Sequence, residues 1–537
     1  MVEPSRASGR PWAGAWPSHL ARALDYPAVP AWWILEQNLP RFAERVAVRE
    51  VEPETLAERR VLTYEQLVGA ARGIATGLRG LGVGRGTRVG YCLPNGAALI
   101  LGYYATWWAG GTVVPTNPGA RHPEVEQLLA DADVSLVVGL AHGPAQVAAG
   151  RLQVPFVDLG AFAAMEQLDP APPVACAPAD DIAVLLYTGG TTGTPKGAML
   201  THRNIVTNTV QFAQWYAFSP GDETSLGAIP FFHSGGMSGV MNVPLSAGAT
   251  LIVFPRFRAA TVARAVSRYG VTRLFGVPTM YIALLDDAEG RRADYSRLRA
   301  CRTNAAPLPP SVKAAFDRLV GREVLVEGYG LTEASPLTHA NPIHRAKPGS
   351  IGFPLPDTDA RIVDLGSGAE VALGEPGELL IRGPQVMRGY WRRPDETARA
   401  LASGWLHTGD VATMDADGYF AIVDRAKDMI NTAGFKVWPR EVEEVIYGHE
   451  AVKLAVAVGV PDDYRGEVVK AFVVLKKERR GGVSETEILE FCRARLSTYK
   501  VPRILEFRTE LPLSGAGKLL RRALRDEALA TPPGIDP

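Results

Sequence analysis

Residues 187–200, YTGGTTGTPKGAML, are the stretch that most constrains what this chain can fold into. The apolar run before them, 182–186 (IAVLL), predicts a buried strand. Three glycines (Gly189, Gly190, Gly193) and four threonines (Thr188, Thr191, Thr192, Thr194) follow, closed by Pro195, Lys196 and Gly197. Glycine lets backbone N–H groups approach an anion, threonine hydroxyls add donors, and lysine adds a point charge. A lone Gly-Gly pair would read as a surface turn, but this density of donors suits a polyphosphate. It is not a Walker P-loop, which needs G-x-x-x-x-G-K-[ST] entering a helix. Here Lys196 stands between Pro195 and Gly197, and the helix start is predicted later, at 201–204, where THRN offers capping side chains.

At 537 residues the chain exceeds one ordinary core, so two or more domains are expected. Lys+Arg and Asp+Glu balance at 57 each, which argues against nucleic acid or an anionic membrane as the main partner. The four cysteines (Cys92, Cys176, Cys301, Cys492) are scattered without a C-x-x-C pair. That pattern is neither a disulfide framework nor a zinc site, and with no apolar signal segment near the start it predicts a cytoplasmic protein. Residues 89–120 carry no formal charge, but their glycines and prolines predict a buried helix and strand rather than a spanning helix.

Strand-like runs (RVGYCL, GTVVP, SLVVGL, IAVLLY) alternate with helical ones, the signature of a layered α/β architecture. A capping-box pattern at Thr63 and Gln66 opens a helix to about Gly80. Residues 141–179, rich in Ala, Pro and Gly, read as a linker between subdomains. Between 349 and 424 short β segments with turns take over, and beyond Asp424 a compact α+β unit is expected. The predicted fold is therefore α/β: a large N-terminal domain of layered subdomains with a β-rich part (1–423), then a small α+β C-terminal domain (424–537).

Other clusters carry chemistry. In VEGYGLTEASP (326–336) a strand runs into Gly328, Tyr329 and Gly330, then Thr332 and Glu333. An aromatic between glycines can lie against a purine, and a Thr-Glu pair can serve a phosphate and Mg²⁺. In WLHTGDVA (405–412) Asp410 follows a Thr-Gly turn, where a carboxylate can accept from a ribose diol. Asp424, Arg425, Gly434 and Lys436 cluster at the domain junction, and Lys518 sits in the Gly/Ser-rich turn of LPLSGAGKLLRR.

In this order these segments resemble the adenylate-forming superfamily: acyl-CoA synthetases, luciferase and peptide-synthetase adenylation domains, with most likeness to fatty-acid–CoA ligases. The resemblance implies ATP, Mg²⁺ and coenzyme A, and a small lid that turns between two half-reactions. It assigns the β- and γ-phosphates to Thr188, Gly190, Thr191, Thr192 and Lys196. The adenine falls to Ala305, Ala306 and the Gly328–Tyr329–Gly330 turn, the α-phosphate to Thr332, Mg²⁺ to Glu333, and the ribose to Asp410 and Arg425. Asp424 is implied as hinge, Lys518 as the bridge between acyl carboxylate and α-phosphate, and Gly434 and Lys436 as part of the thiol tunnel. Two departures stand out: Ser514 where a threonine is usual, and Asn304 where a glycine is usual, beside the expected acyl path.

By the same resemblance 230–249, PFFHSGGMSGVMNVPLSAGA, lines the acyl pocket. It has no formal charge, and no acid is at hand to grip an α-ammonium, so an apolar acid is expected. A medium- or long-chain fatty acid fits, and so does a flat aryl acid against glycine walls. His233 either closes the pocket near the reacting carboxylate or is a satisfied structural histidine. Three activities stay open: an acyl-CoA ligase, an acyl-AMP ligase loading a carrier protein, and a relative that binds adenylate without forming thioester. A homodimer is compatible with all three.

Overall fold

The computed structural model describes residues 11–530 apart from His19, 189–194, Asp463 and 515–516. The short apolar runs become strands of two mostly parallel sheets, buried on both faces as parallel strands generally are. One sheet has six strands, in the order Phe156–Asp158, Leu136–Gly139, Arg88–Cys92, Thr112–Pro115, Ile182–Thr188 and Lys196–Thr201. Its first five are parallel and the last turns back antiparallel. The other has nine. From Leu325–Gly330 through Ala300–Thr303, Arg273–Gly276, Thr224–Gly227 and Thr250–Val253 to Val46–Val51 its strands are parallel. Leu337–Ala340, Phe353–Pro354 and Glu58–Thr63 complete its edges antiparallel.

Local chemistry sets where the helices begin. Thr63 accepts from the Gln66 backbone N–H at 3.2 Å while the Gln66 side chain accepts from Thr63 N–H at 3.0 Å, opening the helix Tyr64–Gly80. The same reciprocal pair, Thr201 and Asn204, opens His202–Trp215. The charge-free stretch forms the crossover helix Ala97–Trp108, buried on nearly every side, between strands of the six-stranded sheet. Among the described residues no helix is long and apolar enough to cross a membrane.

The expected linker at 141–179 is corrected. Its first part folds as the helix Pro144–Leu152, the edge strand Phe156–Asp158 and the helix Leu159–Ala164. Alanine is the best helix former, and Ala145, Ala148 and Ala149 pack into the core, so the composition reported a small-residue interface rather than a loop.

Strands Asp359–Val363, Gly377–Arg382, Leu406–Met414 and Phe420–Arg425 form an antiparallel four-stranded sheet, the expected β-rich part. Beyond it, Phe435–Val437, Ile430–Thr432, Gly466–Leu475 and Val452–Asp462 make a separate sheet, with Ile504–Arg508 parallel to Gly466–Leu475. The helices Pro439–Tyr447 and Glu485–Arg493 cover it over a core of its own that includes Ile430, Val442, Ile446, Ala471 and Ile488. The architecture is thus the α/β class with a small α+β unit at the C-terminal end.

Candidate active site

The site lies where parallel strands of the nine-stranded sheet end, the usual place for a ligand crevice in open α/β sheets. Leu325–Gly330 carries Gly328, Tyr329 and Gly330, and the next strand, Ala300–Thr303, leads into Ala305 and Ala306. Ala305 takes a left-handed backbone (φ 80°) and is exposed; Ala306 is half-buried. A Cβ on residue 330 would stand 2.2 Å from the Pro336 carbonyl oxygen, so only glycine lets the chain fold back here. That return places Thr332 and Glu333 on a 3₁₀ turn, Thr332–Ala334. The Thr332 hydroxyl lies 3.4 Å from that of Ser234, which immediately precedes the helix Gly235–Asn242.

Asp410 and Arg425 face each other across antiparallel strands, with Arg425 Nε 3.4 Å from Asp410 Oδ1. The Tyr329 hydroxyl donates to the other carboxylate oxygen at 2.5 Å. Burial raises the Asp410 carboxyl above its ordinary value, while the Arg425 charge and the Tyr329 hydrogen bond oppose that rise. Burial and the Asp410 charge both push the Tyr329 hydroxyl up, so the shared proton stays on the tyrosine.

Thr188 ends one strand and Lys196 begins its antiparallel neighbour, the two residues directly paired. Gly190, Thr191 and Thr192 lie outside the described residues. The Lys196 ammonium sits 5.4 Å from the centre of the Tyr390 ring, and the Tyr390 hydroxyl donates to Glu333 Oε1 at 2.7 Å. Tyr390, which sequence reasoning missed, therefore joins the phosphate loop to the Thr-Glu turn. Its segment is clamped to the strand Lys196–Thr201: Met199 N–H donates to Gly389 and Trp391 N–H to Gly197. Burial and the Glu333 charge raise the Tyr390 hydroxyl, keeping it a neutral donor.

Lys518 comes from the C-terminal unit. Its N–H donates to Ser514 Oγ at 3.1 Å, so the serine performs the local service a threonine hydroxyl would. The turn is docked on the large domain by the Thr279 hydroxyl, which donates to Gly517 O at 2.8 Å, and elsewhere in the C-terminal unit Lys453, on the strand Val452–Asp462, pairs with Asp286 of the large domain at 2.5 Å. Lys518 keeps contact with solvent, yet protein crowds it at longer range. That enclosure and the Arg425 charge push its ammonium down to about 8, against the pull of Asp410 and Glu333. Burial, with the Lys518 charge, pushes the His233 imidazole down to about 4, leaving it neutral near pH 7. Lys518 is thus coupled electrostatically to His233, Glu333, Asp410 and Arg425, from four separate segments.

Two expected residues are not in this group. Gly434 and Lys436 lie on an exposed hairpin of the C-terminal unit, where Lys436 acts on Asp364. Asp424, buried in the strand Phe420–Arg425, accepts from Arg440 N–H at 2.9 Å and from the Arg521 guanidinium at 2.9 Å. Arg521 also donates to both oxygens of the buried Glu443, at 2.8 and 2.9 Å. Arg521 and Glu443 were not singled out in the sequence, where charge alone marked them.

The model of the AMP-binding enzyme family matches residues 35–391, and that of the AMP-binding enzyme C-terminal domain matches 441–518. The long-chain-fatty-acid–CoA ligase of Bacillus subtilis (strain 168) is 40% identical, over 97% of this chain and 98% of its own length. The feruloyl-CoA synthase of Amycolatopsis sp is 41% identical, over 86% of this chain and 93% of its own. The crystal structure of ATP-bound MatB from Rhodopseudomonas palustris matches with a TM-score of 0.85 at 29% identity, covering 93% of this chain and 99% of that one. With both family models and these relatives spanning nearly its whole length, the chain belongs to the AMP-binding, adenylate-forming enzyme family.

Proposed function

We propose that this protein is an ATP-dependent acyl-CoA ligase. It converts a carboxylic acid and ATP to acyl-AMP and pyrophosphate, then passes the acyl group to the thiol of coenzyme A and releases AMP. The observation that carries this reading is the docking of the Lys518 turn on the large domain, Thr279 Oγ1 donating to Gly517 O at 2.8 Å, within electrostatic reach of His233, Glu333, Asp410 and Arg425. A carboxylate is a poor acyl donor because oxide would have to leave. Its attack on the α-phosphate, expelling pyrophosphate, turns that leaving group into AMP. Negative charge grows on the α-phosphate as this happens, and a preorganised ammonium at Lys518 with the Thr332 hydroxyl stabilises it. Neutral His233 closes the reacting end without adding a second positive charge. Thr188, the following glycines and threonines, and Lys196 hold the departing phosphates, while Asp410 and Arg425 hold the ribose.

Mg²⁺ would neutralise phosphate charge, with Glu333 as its protein ligand. The donor set fits. Among the described residues no group of three or more His, Cys, Asp or Glu could hold a metal unaided, and Mg²⁺ is usually held by one or two carboxylates plus substrate phosphates. In the second half-reaction Lys518 is no longer needed. Turning the C-terminal unit about Asp424, the division between 1–423 and 424–537, exchanges it for the hairpin of Gly434 and Lys436.

A medium- or long-chain fatty acid is the acid supported by the Bacillus subtilis relative and by the charge-free 230–249 segment. An aryl acid is a second reading, favoured by the rings of Phe212 and Phe275 packed against Gly239. A cytoplasmic location and a homodimer complete the proposal. Pyrophosphate release across an acid panel, with and without coenzyme A, tests it. Acyl-CoA and AMP formed together support the ligase; CoA-independent release with transfer to a carrier protein would replace it with an acyl-AMP ligase.

A further inference from the structure

Arg302 is 1% exposed, on the strand Ala300–Thr303. Its NH2 donates to Gly239 O at 3.1 Å, but among the described residues Nε and NH1 have no hydrogen-bond partner. Aromatic rings surround it: Phe212 at 4.3 Å, Tyr216 at 4.8 Å and Phe275 at 5.0 Å from the guanidinium carbon. The hydroxyl of Tyr216 is itself buried and unpartnered, as are Thr303 Oγ1 and Asn304 Oδ1, the next two residues along the chain. Buried charges in folded proteins are as a rule paired, and buried polar groups hydrogen-bonded. Cation–π contact offsets part of the cost of burying a guanidinium but does not satisfy its N–H groups.

The location gives this cluster a use. Gly239 lies in the helix Gly235–Asn242, which follows His233 at the reacting end. Gly239 is six residues beyond His233, and the chain coils at once between them, Met237 N–H donating to His233 O at 2.8 Å. A Cβ at Gly239 would stand 2.6 Å from the Phe275 ring and 3.0 Å from that of Phe212, so glycine there lets the rings and Arg302 reach the helix.

We propose that Arg302, with the Tyr216 hydroxyl, forms the polar far end of the acid pocket and selects acids that carry an oxygen acceptor remote from the reacting carboxyl. Whether the body of the acid is alkyl or aryl, its distal carboxylate, hydroxyl or carbonyl oxygen accepts from Nε and NH1 of Arg302. This rests on the acyl-CoA ligase reading and narrows its substrate. A long unsubstituted alkyl tail would meet a cation whose donors it cannot satisfy.

Matched pairs test it: hexanoate against adipate, and cinnamate against 4-hydroxycinnamate, with dodecanoate beside them, assayed by pyrophosphate release. The expected result is at least a 10-fold higher kcat/KM for an oxygenated member, expressed mainly in KM. Arg302→Met removes that preference, and Arg302→Lys, which keeps the charge, restores part of it. Wild-type protein that uses the unsubstituted acids as well or better overturns the proposal. So does an Arg302→Met variant that lowers both members of a pair equally. If the variant does not fold, the wild-type comparison decides alone. Release with none of the acids would instead sink the ligase reading and this inference with it.

Discussion

The Tyr390 hydroxyl donates to Glu333 at 2.7 Å while the ring of the same residue lies 5.4 Å beneath the Lys196 ammonium. One side chain thus fixes the distance between the residue proposed for the outer phosphates and the one proposed for Mg²⁺. Tyr390→Phe keeps the ring and deletes the hydrogen bond. Losing a hydrogen bond to a charged group costs about 1.5–3 kcal/mol, so kcat/KM for ATP is expected to fall roughly 10- to 100-fold. A steeper dependence on Mg²⁺ concentration than in the wild type is the accompanying sign. An unchanged Mg²⁺ profile would remove Tyr390 from this role.

Lys518→Ala is expected to slow adenylate formation by roughly 10²–10³-fold, the usual consequence of losing one electrostatic stabiliser. Thioester formation from supplied acyl-adenylate should persist. Single-turnover assays of each half-reaction measure both, and an equal loss in the two would contradict the division of labour.

The pH dependence follows from the same residue. Lys518 acts as a cation, and its ammonium is pushed down to about 8, so the first half-reaction has its full rate below that value and loses it as pH rises through it. His233, pushed down to about 4, stays neutral across this window and contributes no acid limb above about pH 5. A pH profile of pyrophosphate release from enzyme with saturating acid checks both signs.

Arg521 joins the buried carboxylates of Asp424 and Glu443. Removing one partner of a buried ion pair typically costs about 3–5 kcal/mol, because the charges left behind remain buried. Arg521→Ala is therefore expected to lower the denaturation midpoint of the C-terminal unit and to weaken adenylation more than acid binding. Denaturant unfolding monitored together with the half-reaction rates checks this.

Much of the fold was legible because its signals are local. The capping pairs Thr63–Gln66 and Thr201–Asn204 satisfy backbone groups within one turn, and the strand runs bury both faces, so each can be read from neighbouring letters. Within 141–179, residues 144–164 fold although they read as linker, because alanine and glycine serve loops and close helix packing alike, whereas 168–177 hold no helix or strand. In the candidate site, residues inside dense motifs, such as Glu333 and Asp410, could be named from the sequence. Tyr390 could not, since it reaches Glu333 across 57 residues and depends on a strand pairing that no periodicity reports. Arg302 was hidden for a different reason: in a strand of four residues nothing in the sequence distinguishes a buried guanidinium from an exposed one.

In the proposed reaction the acid is activated as an adenylate before it meets the thiol. Acid labelled with ¹⁸O in both carboxylate oxygens, turned over with ATP and coenzyme A, tests this most directly. Attack on the α-phosphate leaves one labelled oxygen in AMP and the other in the acyl-CoA carbonyl. Label recovered in inorganic phosphate, with ADP as the nucleotide product and none in AMP, would contradict it.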